Sequence, residues 1–343
     1  MPNCFLSIAF IADLLNNLAA SFQRFGYSVS LSTNGSTLAI GVYGSDSNGY
    51  DSGEVQVYQW NEATSNYEQL GQPILGEAPE DYAGRSISLS GDGTTIAIGS
   101  PRNDVNGNNS GQVRVFGLVG STSWRQLGSS INGDAGGDRS GQAVAISSDG
   151  NTLVVGSTFH TEKTGQVRVY RWDKLTSNYD QIGRDMNGQA TNDEFGGSVA
   201  VSSNGQIIAI GASQRNHVLG TGYVKTFAWD ESVLNYRQIG LVITGNIAGD
   251  KFGDQLSLSS NGMTLAIGAW GNVDLGYGYV DVYQRDGLNW NQIGKSLSDV
   301  LVDGYDGDSV ALSSDGKSLA IGATFDGNSG SGTPIVRVVE VGS

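Results

Sequence analysis

One unit of about 56 residues, repeated six times, constrains the fold of this chain more than any other feature of its sequence. Glycines that precede an alternating strand recur at nearly even spacing, at Gly26, Gly84, Gly141, Gly196, Gly253 and Gly307. A second series of turn glycines, beginning at Gly35 and ending at Gly316, keeps almost the same spacing. Two independent markers in one register argue against chance, so we expect six copies of one structural unit.

Each copy has the sequence pattern of four β-strands, A to D. Strand A alternates apolar and polar residues, as in Ser198–Ser202, and ends in an Asn-Gly or Asp-Gly dipeptide that suits a two-residue type I′ hairpin. Strand B is apolar, as in Thr37–Gly41, and strand C alternates valines with polar residues, as at Val55 and Val57. In five copies strand D carries an aromatic residue followed two positions later by Gln-Ile-Gly or Gln-Leu-Gly. Four antiparallel strands joined by short turns form the blade of a β-propeller.

A lone blade leaves both faces of its sheet exposed, and a closed ring of blades also protects the first and last blade. The sequence therefore predicts an all-β chain, a β-propeller of six four-stranded blades in residues 25–343. The sixth copy ends before strand D, and the N-terminal segment, residues 1–24, can supply that strand, with Phe5–Ile11 the best candidate. The alternatives are a seven-bladed or open ring, and a weakly signal-like sequence at Leu18–Ser21.

Phe-Gly before strand A, with an apolar strand ending in Ile-Gly-Ala after it, resembles the FG-GAP repeat of integrin α-subunit propellers. Good copies are Phe195-Gly196 with Ile208–Ala212 and Phe252-Gly253 with Leu265–Ala269. The resemblance covers residues 24–341 and implies a propeller, but such repeats occur in adhesion receptors, secreted proteins and enzymes alike. Integrin-type repeats often hold calcium between strands A and B. The short Asn-Gly and Asp-Gly turns here leave no room for that loop, so those sites are not expected.

The net charge of the chain limits the classes of molecule that it can bind. The 34 acidic residues outnumber the 19 basic ones, and a net charge of −15 repels phosphate backbones, so no nucleic-acid partner is expected. Cys4 is the single cysteine, which excludes an intrachain disulfide. The apolar run Phe5–Ala12 is too short to span a membrane.

Two loops between strands B and C are candidate calcium sites, because they are rich in oxygen-bearing side chains and match each other at the repeat spacing. The candidate ligands are Asp46, Asn48, Asp51, Asp104, Asn106 and Asn108. Ordinary solvated turns have the same composition and are the alternative.

Other candidate residues lie in the loops of later repeats. His160 and His217 fall in adjacent B–C loops, where a histidine can act as a general base in polysaccharide cleavage or, with a carboxylate, bind a transition metal. Exposed loop residues without a function are the alternative. Trp270, beside Asn272 and Asp274, has no counterpart in other repeats, which predicts a ligand-binding side chain.

Four aspartates recur three residues before the strand A glycine, at Asp81, Asp138, Asp193 and Asp250. One interpretation is an acidic rim that grips a cation. The other is that each carboxylate accepts hydrogen bonds from the N–H groups of its own loop.

The leading hypothesis for function is a non-catalytic binding or adhesion propeller that recognises a protein or glycan through its B–C and D–A loops. The FG-GAP resemblance and the lack of GxSxG, Walker and HExxH patterns favour it, and it implies an extracellular or cell-surface location. A polysaccharide lyase with a histidine base, and a structural subunit of a larger assembly, are the alternatives. Whether the chain is an enzyme stays open, with a non-enzyme favoured.

Overall fold

The computed structural model describes residues 23–120, 122–214, 220–271, 278–298, 305–324 and 335–342. Within these residues the chain forms six antiparallel β-sheets and one short helical segment, His160–Lys163. The fold is an all-β, six-bladed β-propeller, which confirms the architecture predicted from the repeat. The predicted closing strand at Phe5–Ile11 lies outside the described residues.

In the first two blades strand D is interrupted, so that two short strands pair with the third long strand. Blade one consists of β1 (Phe25–Leu31), β2 (Thr37–Val42), β3 (Glu54–Asn61), β4 (Asn66–Gln69) and β5 (Ile74–Leu75). Blade two consists of β6 (Ser86–Leu89), β7 (Thr95–Ser100), β8 (Gln112–Val119), β9 (Ser123–Gln126) and β10 (Ile131–Asn132). The interruption leaves the three inner strands of each blade paired in the predicted order.

The next three blades have four strands each, and the sixth has three within the described residues. Blade three consists of β11 (Ser140–Ile146), β12 (Thr152–Ser157), β13 (Gln166–Asp173) and β14 (Asn178–Asn187). Blade four consists of β15 (Phe195–Val201), β16 (Ile207–Ala212), β17 (Tyr223–Asp230) and β18 (Asn235–Thr244). Blade five consists of β19 (Gln255–Leu258), β20 (Thr264–Ala269), β21 (Tyr279–Asp286) and β22 (Asn289–Gln292). Blade six consists of β23 (Tyr305–Leu312), β24 (Ser318–Thr324) and β25 (Ile335–Glu340).

The chain divides into two compact units, residues 1–144 with 174–178 and residues 145–173 with 179–343. In the first unit, apolar side chains of blades one and two, such as Val55 and Ile87, form one buried cluster. In the second unit, side chains of blades three and four, such as Val167 and Phe195, do the same. Burial between adjacent sheets within each unit is the packing that a propeller blade requires.

The connection between strands A and B differs from the predicted two-residue turn. In blade one the Ser32 N–H donates to Thr37 O at 2.9 Å and the Gly35 N–H donates to Ser32 O at 2.8 Å, which makes a longer loop. Gly35 has a φ of 71°, but Asn34 lacks the positive φ of a type I′ turn. Its side-chain oxygen instead accepts the Ser36 N–H at 3.0 Å. The type I′ prediction was wrong, because the asparagine serves here through its side chain.

Two recurring glycines of the repeat allow neighbouring blades to approach closely. A Cβ on Gly211 would lie 2.0 Å from the carbonyl oxygen of Gly253, so a side chain does not fit there. The Ser198 hydroxyl donates to the same Gly253 oxygen at 2.5 Å. In the first unit a Cβ on Gly41 would lie 2.1 Å from Gly84 O. The repeated glycines therefore mark the contact by which one blade is held against the next.

Candidate functional site

The recurring aspartates close the D–A connections and are structural. In each of four copies the carboxylate accepts the backbone N–H of the residue three positions earlier, at 2.9 to 3.2 Å. The pairs are Ala78 with Asp81, Ala135 with Asp138, Ala190 with Asp193 and Ile247 with Asp250. The four aspartates are only 2 to 5% exposed, so they do not form an acidic rim.

The residue after each of these aspartates has a left-handed backbone and a variable side chain. Its φ lies between 54° and 59° in Tyr82, Arg139, Glu194 and Lys251, and Arg24, at the same place in the first repeat, has a φ of 57°. The chemical type changes from blade to blade while the turn stays the same. This position therefore lets each blade differ in chemistry without a change of fold.

In the first unit the variable positions contribute to an arginine–tyrosine cluster, which consists of Arg24, Tyr27, Tyr43, Tyr82, Arg85 and Arg102. Tyr43 is at its centre, with the ring of Tyr27 edge-on at 4.7 Å and the ring of Tyr82 at 5.2 Å. The Arg85 guanidinium lies 4.1 Å from the Tyr27 ring centre and 5.3 Å from that of Tyr43. These distances are those of cation–π contacts.

Two further guanidiniums complete the arginine–tyrosine cluster. Arg24 lies 4.7 Å from the Tyr43 ring centre and also donates to the Tyr43 hydroxyl. Arg102 lies 4.2 Å from the Tyr82 ring centre and donates from Nη1 to the Tyr82 hydroxyl at 3.0 Å. Hydrogen bonding to Tyr43 raises the pKa of Arg24, and the Asp51 carboxylate acts in the same direction. The cluster thus brings three cations together on aromatic rings.

In the second unit His160 belongs to a polar network on blade three, called here the His160 network. The Gln166 Nε2 group lies 3.3 Å from His160 Nε2 and donates to Asp185 Oδ2 at 3.3 Å. Gln181 donates to Asp185 Oδ1 at 2.6 Å, and Arg168 Nε lies 3.4 Å from the same oxygen. The 3.3 Å contact between Gln166 Nε2 and His160 Nε2 joins the imidazole to this network, with donor and acceptor roles that depend on the tautomer of the ring.

The segment that carries His160 is not a regular helix. Thr161 and Glu162 have φ values of 44° and 53°, and the segment links β12 to β13. Strand β13 then places Gln166 and Arg168 on one face, because alternate residues of a strand share a face. The other histidine, His217, lies outside the described residues, so its predicted role stays a prediction.

A second polar group in this unit is buried where the chain enters blade four. The Asp193 carboxylate accepts hydrogen bonds from the Tyr223 hydroxyl at 2.7 Å and from Gln214 at 2.8 Å. Burial acts to raise the pKa of Asp193, but these bonds outweigh it and lower that pKa. Lys225 lies 5.4 Å and 5.5 Å from the ring centres of Phe195 and Tyr223, and burial lowers its pKa. Sequence analysis missed this group, although Lys225 is a charged residue within a strand that is mostly apolar.

Trp270 is described, but its two predicted companions are not. The Lys251 ammonium lies 3.3 Å from the centre of the Trp270 ring, so one face of the indole is already covered by a cation. Asn272 and Asp274 lie outside the described residues. A ligand-binding role for these three residues therefore stays a prediction.

The two candidate calcium loops use their polar side chains internally. The first aspartate accepts a backbone N–H of its own loop, and the asparagine two positions later donates to the next connection. The bonds are Asp46 with the Asp51 N–H (2.8 Å), Asp104 with the Asn109 N–H (2.7 Å), Asn48 with Gly76 O (2.8 Å) and Asn106 with Gly133 O (2.8 Å). Asn108 accepts a bond from the Asn109 side chain. This bonding accounts for the composition of the loops, and calcium stays a prediction.

Comparison with known families supports the resemblance seen in the repeats. The family model described as FG-GAP repeat matches residues 10–58 and 76–116. Those two segments are FG-GAP-like repeats. A sequence search finds no curated protein that matches it. The integrin likeness goes no further than the repeat itself.

Three solved structures of similar fold have lactonase names. A candidate 6-phosphogluconolactonase of Bacteroides uniformis shares 13% identity over 92% of this chain and 88% of its own, with a TM-score of 0.60. The periplasmic gluconolactonase of Pseudomonas aeruginosa shares 18% identity over 92% and 85%, with a TM-score of 0.54. A candidate 6-phosphogluconolactonase of Bacteroides fragilis shares 15% over 78% and 69%, with a TM-score of 0.52. At these identities the likeness shows the fold.

These comparisons correct the leading hypothesis for function. The prediction of a non-catalytic binding or adhesion propeller is wrong, because these structural neighbours are named as enzymes of lactone hydrolysis and not as adhesion proteins. The lyase and structural-subunit alternatives are set aside with it. Protein or glycan partners and an extracellular location stay predictions. Among the described residues, no helix has the length and apolar character needed to cross a bilayer.

Proposed function

We propose that this protein is a hydrolase that opens the cyclic ester of a sugar lactone. The observation that carries the proposal is the fold shared, over 92% of this chain, with two propellers named for gluconolactone hydrolysis. Because a fold hosts many activities, the proposal also needs a site with suitable chemistry. The His160 network supplies the groups that such a reaction requires.

Lactone hydrolysis needs a base that takes a proton from water and a cation that stabilises the oxyanion. His160 is the candidate base, and its Nε2 lies 3.3 Å from Gln166 Nε2, a long contact that water can replace. Arg168 follows Gln166 by two residues on β13 and carries the positive charge. Asp185 holds both Gln166 and Arg168 in place.

The proposed hydrolysis proceeds in two steps. The water oxygen attacks the lactone carbonyl carbon while its proton passes to His160, and Arg168 stabilises the negative oxygen of the tetrahedral intermediate. The ring C–O bond breaks, and the proton on His160 passes to the departing alkoxide. The product is an open-chain hydroxy acid, which releases one proton to solution at neutral pH.

Acid release measures this activity directly. Titration at constant pH with glucono-1,5-lactone and its 6-phosphate, after subtraction of the spontaneous rate, should show turnover by the wild-type protein. His160→Gln should lose about 100-fold in kcat, which is the usual contribution of a general base. Arg168→Gln should also lose activity, whereas Arg184→Gln, an equal charge change at an exposed position of β14, should retain it.

The proposal fails if wild-type protein releases no acid above the spontaneous rate from either lactone. It also fails if His160→Gln is as active as the wild type. Equal losses in Arg168→Gln and Arg184→Gln would mean that net charge, rather than the His160 network, governs the rate.

A further inference from the structure

We propose that Lys225 is a reactive amine that condenses with a small, neutral aldehyde to form an imine. Lys225 lies in the third strand of blade four, β17, and is 8% exposed, so almost the whole side chain is buried. This site is separate from the His160 network on blade three and does not depend on the proposed hydrolysis.

The other repeats carry arginine or a different polar residue at this position of strand C. The counterparts of Lys225 are Gln56, Arg114, Arg168, Asp281 and Arg337. Arg114 donates from Nη2 to Leu75 O at 2.7 Å. Arg168 Nε lies 3.4 Å from Asp185 Oδ1. These two arginines thus have an acceptor nearby, whereas blade four has a lysine, a side chain that can lose its proton when it is buried.

Within the described part of the chain, the Lys225 ammonium has no hydrogen-bond acceptor. Its contacts are the rings of Phe195 and Tyr223, whose centres lie 5.4 Å and 5.5 Å away. The Asp193 carboxylate acts on Lys225 only as a charge beyond ion-pair range. Asp193 instead accepts hydrogen bonds from Tyr223 and Gln214. Cation–π contacts at this distance replace only part of the hydration that a buried ammonium loses.

Burial without an acceptor favours the uncharged form of the amine. Burial lowers the pKa of Lys225, and the negative charge of Asp193 acts in the opposite direction. An uncharged lysine has a lone pair on its nitrogen, and a desolvated lysine of this kind is a nucleophile toward carbonyl carbon. The position of Lys225 therefore supplies the form of the side chain that reacts with an aldehyde.

The reaction needs no oxidant or reductant. The amine nitrogen bonds to the aldehyde carbon and gives up one proton, while the carbonyl oxygen takes one up, which forms a carbinolamine. The C–O bond then breaks, the nitrogen gives up its second proton, and one water leaves as the C=N bond forms. The imine is uncharged and suits the surrounding apolar cluster of Phe195, Tyr223 and Phe227. The charge of Asp193 and the net charge of −15 disfavour an anionic carbonyl compound.

Reductive trapping of the full-length protein at neutral pH tests the site. The protein is treated with glycolaldehyde and cyanoborohydride, and peptide mass spectrometry gives the rate of modification at each of its six lysines. Lys225 should be modified faster than the exposed Lys174. In urea the two rates should agree within about twofold, because unfolded lysines share one pKa. Glyoxylate, an anionic aldehyde of similar size, should show a smaller preference for Lys225 over Lys174.

The pH dependence and one variant separate reactivity from access. The rate at Lys174 should rise about tenfold per pH unit above neutrality, whereas the rate at Lys225 should rise less steeply, because more of this amine is already uncharged. Lys225→Arg keeps the positive charge but cannot form the imine, so the fast modification should disappear while the other lysines react as before. The proposal is refuted if Lys225 reacts more slowly in the folded protein than in urea, if folded Lys174 reacts as fast as Lys225, or if glyoxylate shows the same preference as glycolaldehyde.

Discussion

Gly211→Ala is expected to destabilise the protein by about 3 kcal/mol, because the new methyl group meets the backbone of the next blade. A Cβ there would lie 2.0 Å from Gly253 O, whereas an ordinary carbon–oxygen contact needs about 3.3 Å. The blades must separate locally by about 1 Å, which costs roughly 2 kcal/mol of packing. The separation also breaks the 2.5 Å hydrogen bond from the Ser198 hydroxyl to Gly253 O, worth about 1 kcal/mol.

Thermal unfolding followed by circular dichroism measures the effect. For a chain of 343 residues the entropy of unfolding near the midpoint is about 0.7 kcal/mol/K, so 3 kcal/mol lowers Tm by about 4 °C. Gly197→Ala is the matched control, because a Cβ there meets nothing closer than 3.2 Å, and its Tm should stay within about 1 °C. Ser198→Ala isolates the hydrogen bond and should lower Tm by about 1 to 2 °C. A Gly211→Ala protein that melts with the wild type would refute the close-approach argument.

Two further substitutions test buried polar groups of the second unit. Burial raises the pKa of Asp281 above its unfolded value, so its contribution to stability falls as the pH rises from about 3.8 through the folded pKa. Asp281→Asn should therefore raise Tm more at pH 7 than at pH 3, and a pH-independent difference would contradict this. Trp290 donates from Nε1 to Thr226 Oγ1 at 2.8 Å, so Trp290→Phe should cost about 1 to 2 kcal/mol in denaturant unfolding. Trp60→Phe in the first unit is the comparison, because among the described residues Trp60 Nε1 is buried without a hydrogen-bond partner, and its loss should be smaller.

The number of blades could be read from the sequence because its markers are fixed by backbone packing. Gly211 and Gly253 belong to the two glycine positions of the repeat, and the structure shows that each is required by the same blade contact. Because such a position tolerates no side chain, glycine recurs there from copy to copy and can be recognised in the sequence. Trp124 also contributes to the contact between blades, since its Nε1 donates to Leu70 O of the preceding blade at 3.0 Å.

The A–B loop shows where the local pattern was read too narrowly. Asn-Gly fits a type I′ turn, but it also fits a longer loop in which only the glycine is left-handed. The signal that separates the two is Ser32, two residues before Asn34, whose hydroxyl donates to the asparagine oxygen at 2.9 Å and accepts the Thr37 N–H at 2.9 Å. A serine stands at this place in all six copies.

The candidate sites were less accessible to sequence reasoning, because they depend on residues that do not repeat. Tyr43 and Tyr82 belong to different repeats, and their rings lie 5.2 Å apart only because the two loops meet in space. His160 was found because histidine is rare in this chain. Its network partner Asp185 lies on β14, beyond the whole of β13, and has no pattern of its own. The prediction of a binding or adhesion function was wrong for a related reason. The FG-GAP pattern reflects how blades pack and carries no information on chemistry.

The left-handed position after each D–A aspartate combines a backbone conformation that repeats with a side chain that does not. A non-glycine residue there costs roughly 1 to 2 kcal/mol relative to an ordinary conformation, and glycine would remove that cost. Glycine is nevertheless absent from the five copies in which the position is described as left-handed. Arg24 and Tyr82 use their side chains in the arginine–tyrosine cluster, and Lys251 covers Trp270. Glycine would avoid the conformational cost of this turn, so the aromatic contacts that Arg24, Tyr82 and Lys251 make there come with a small loss of stability.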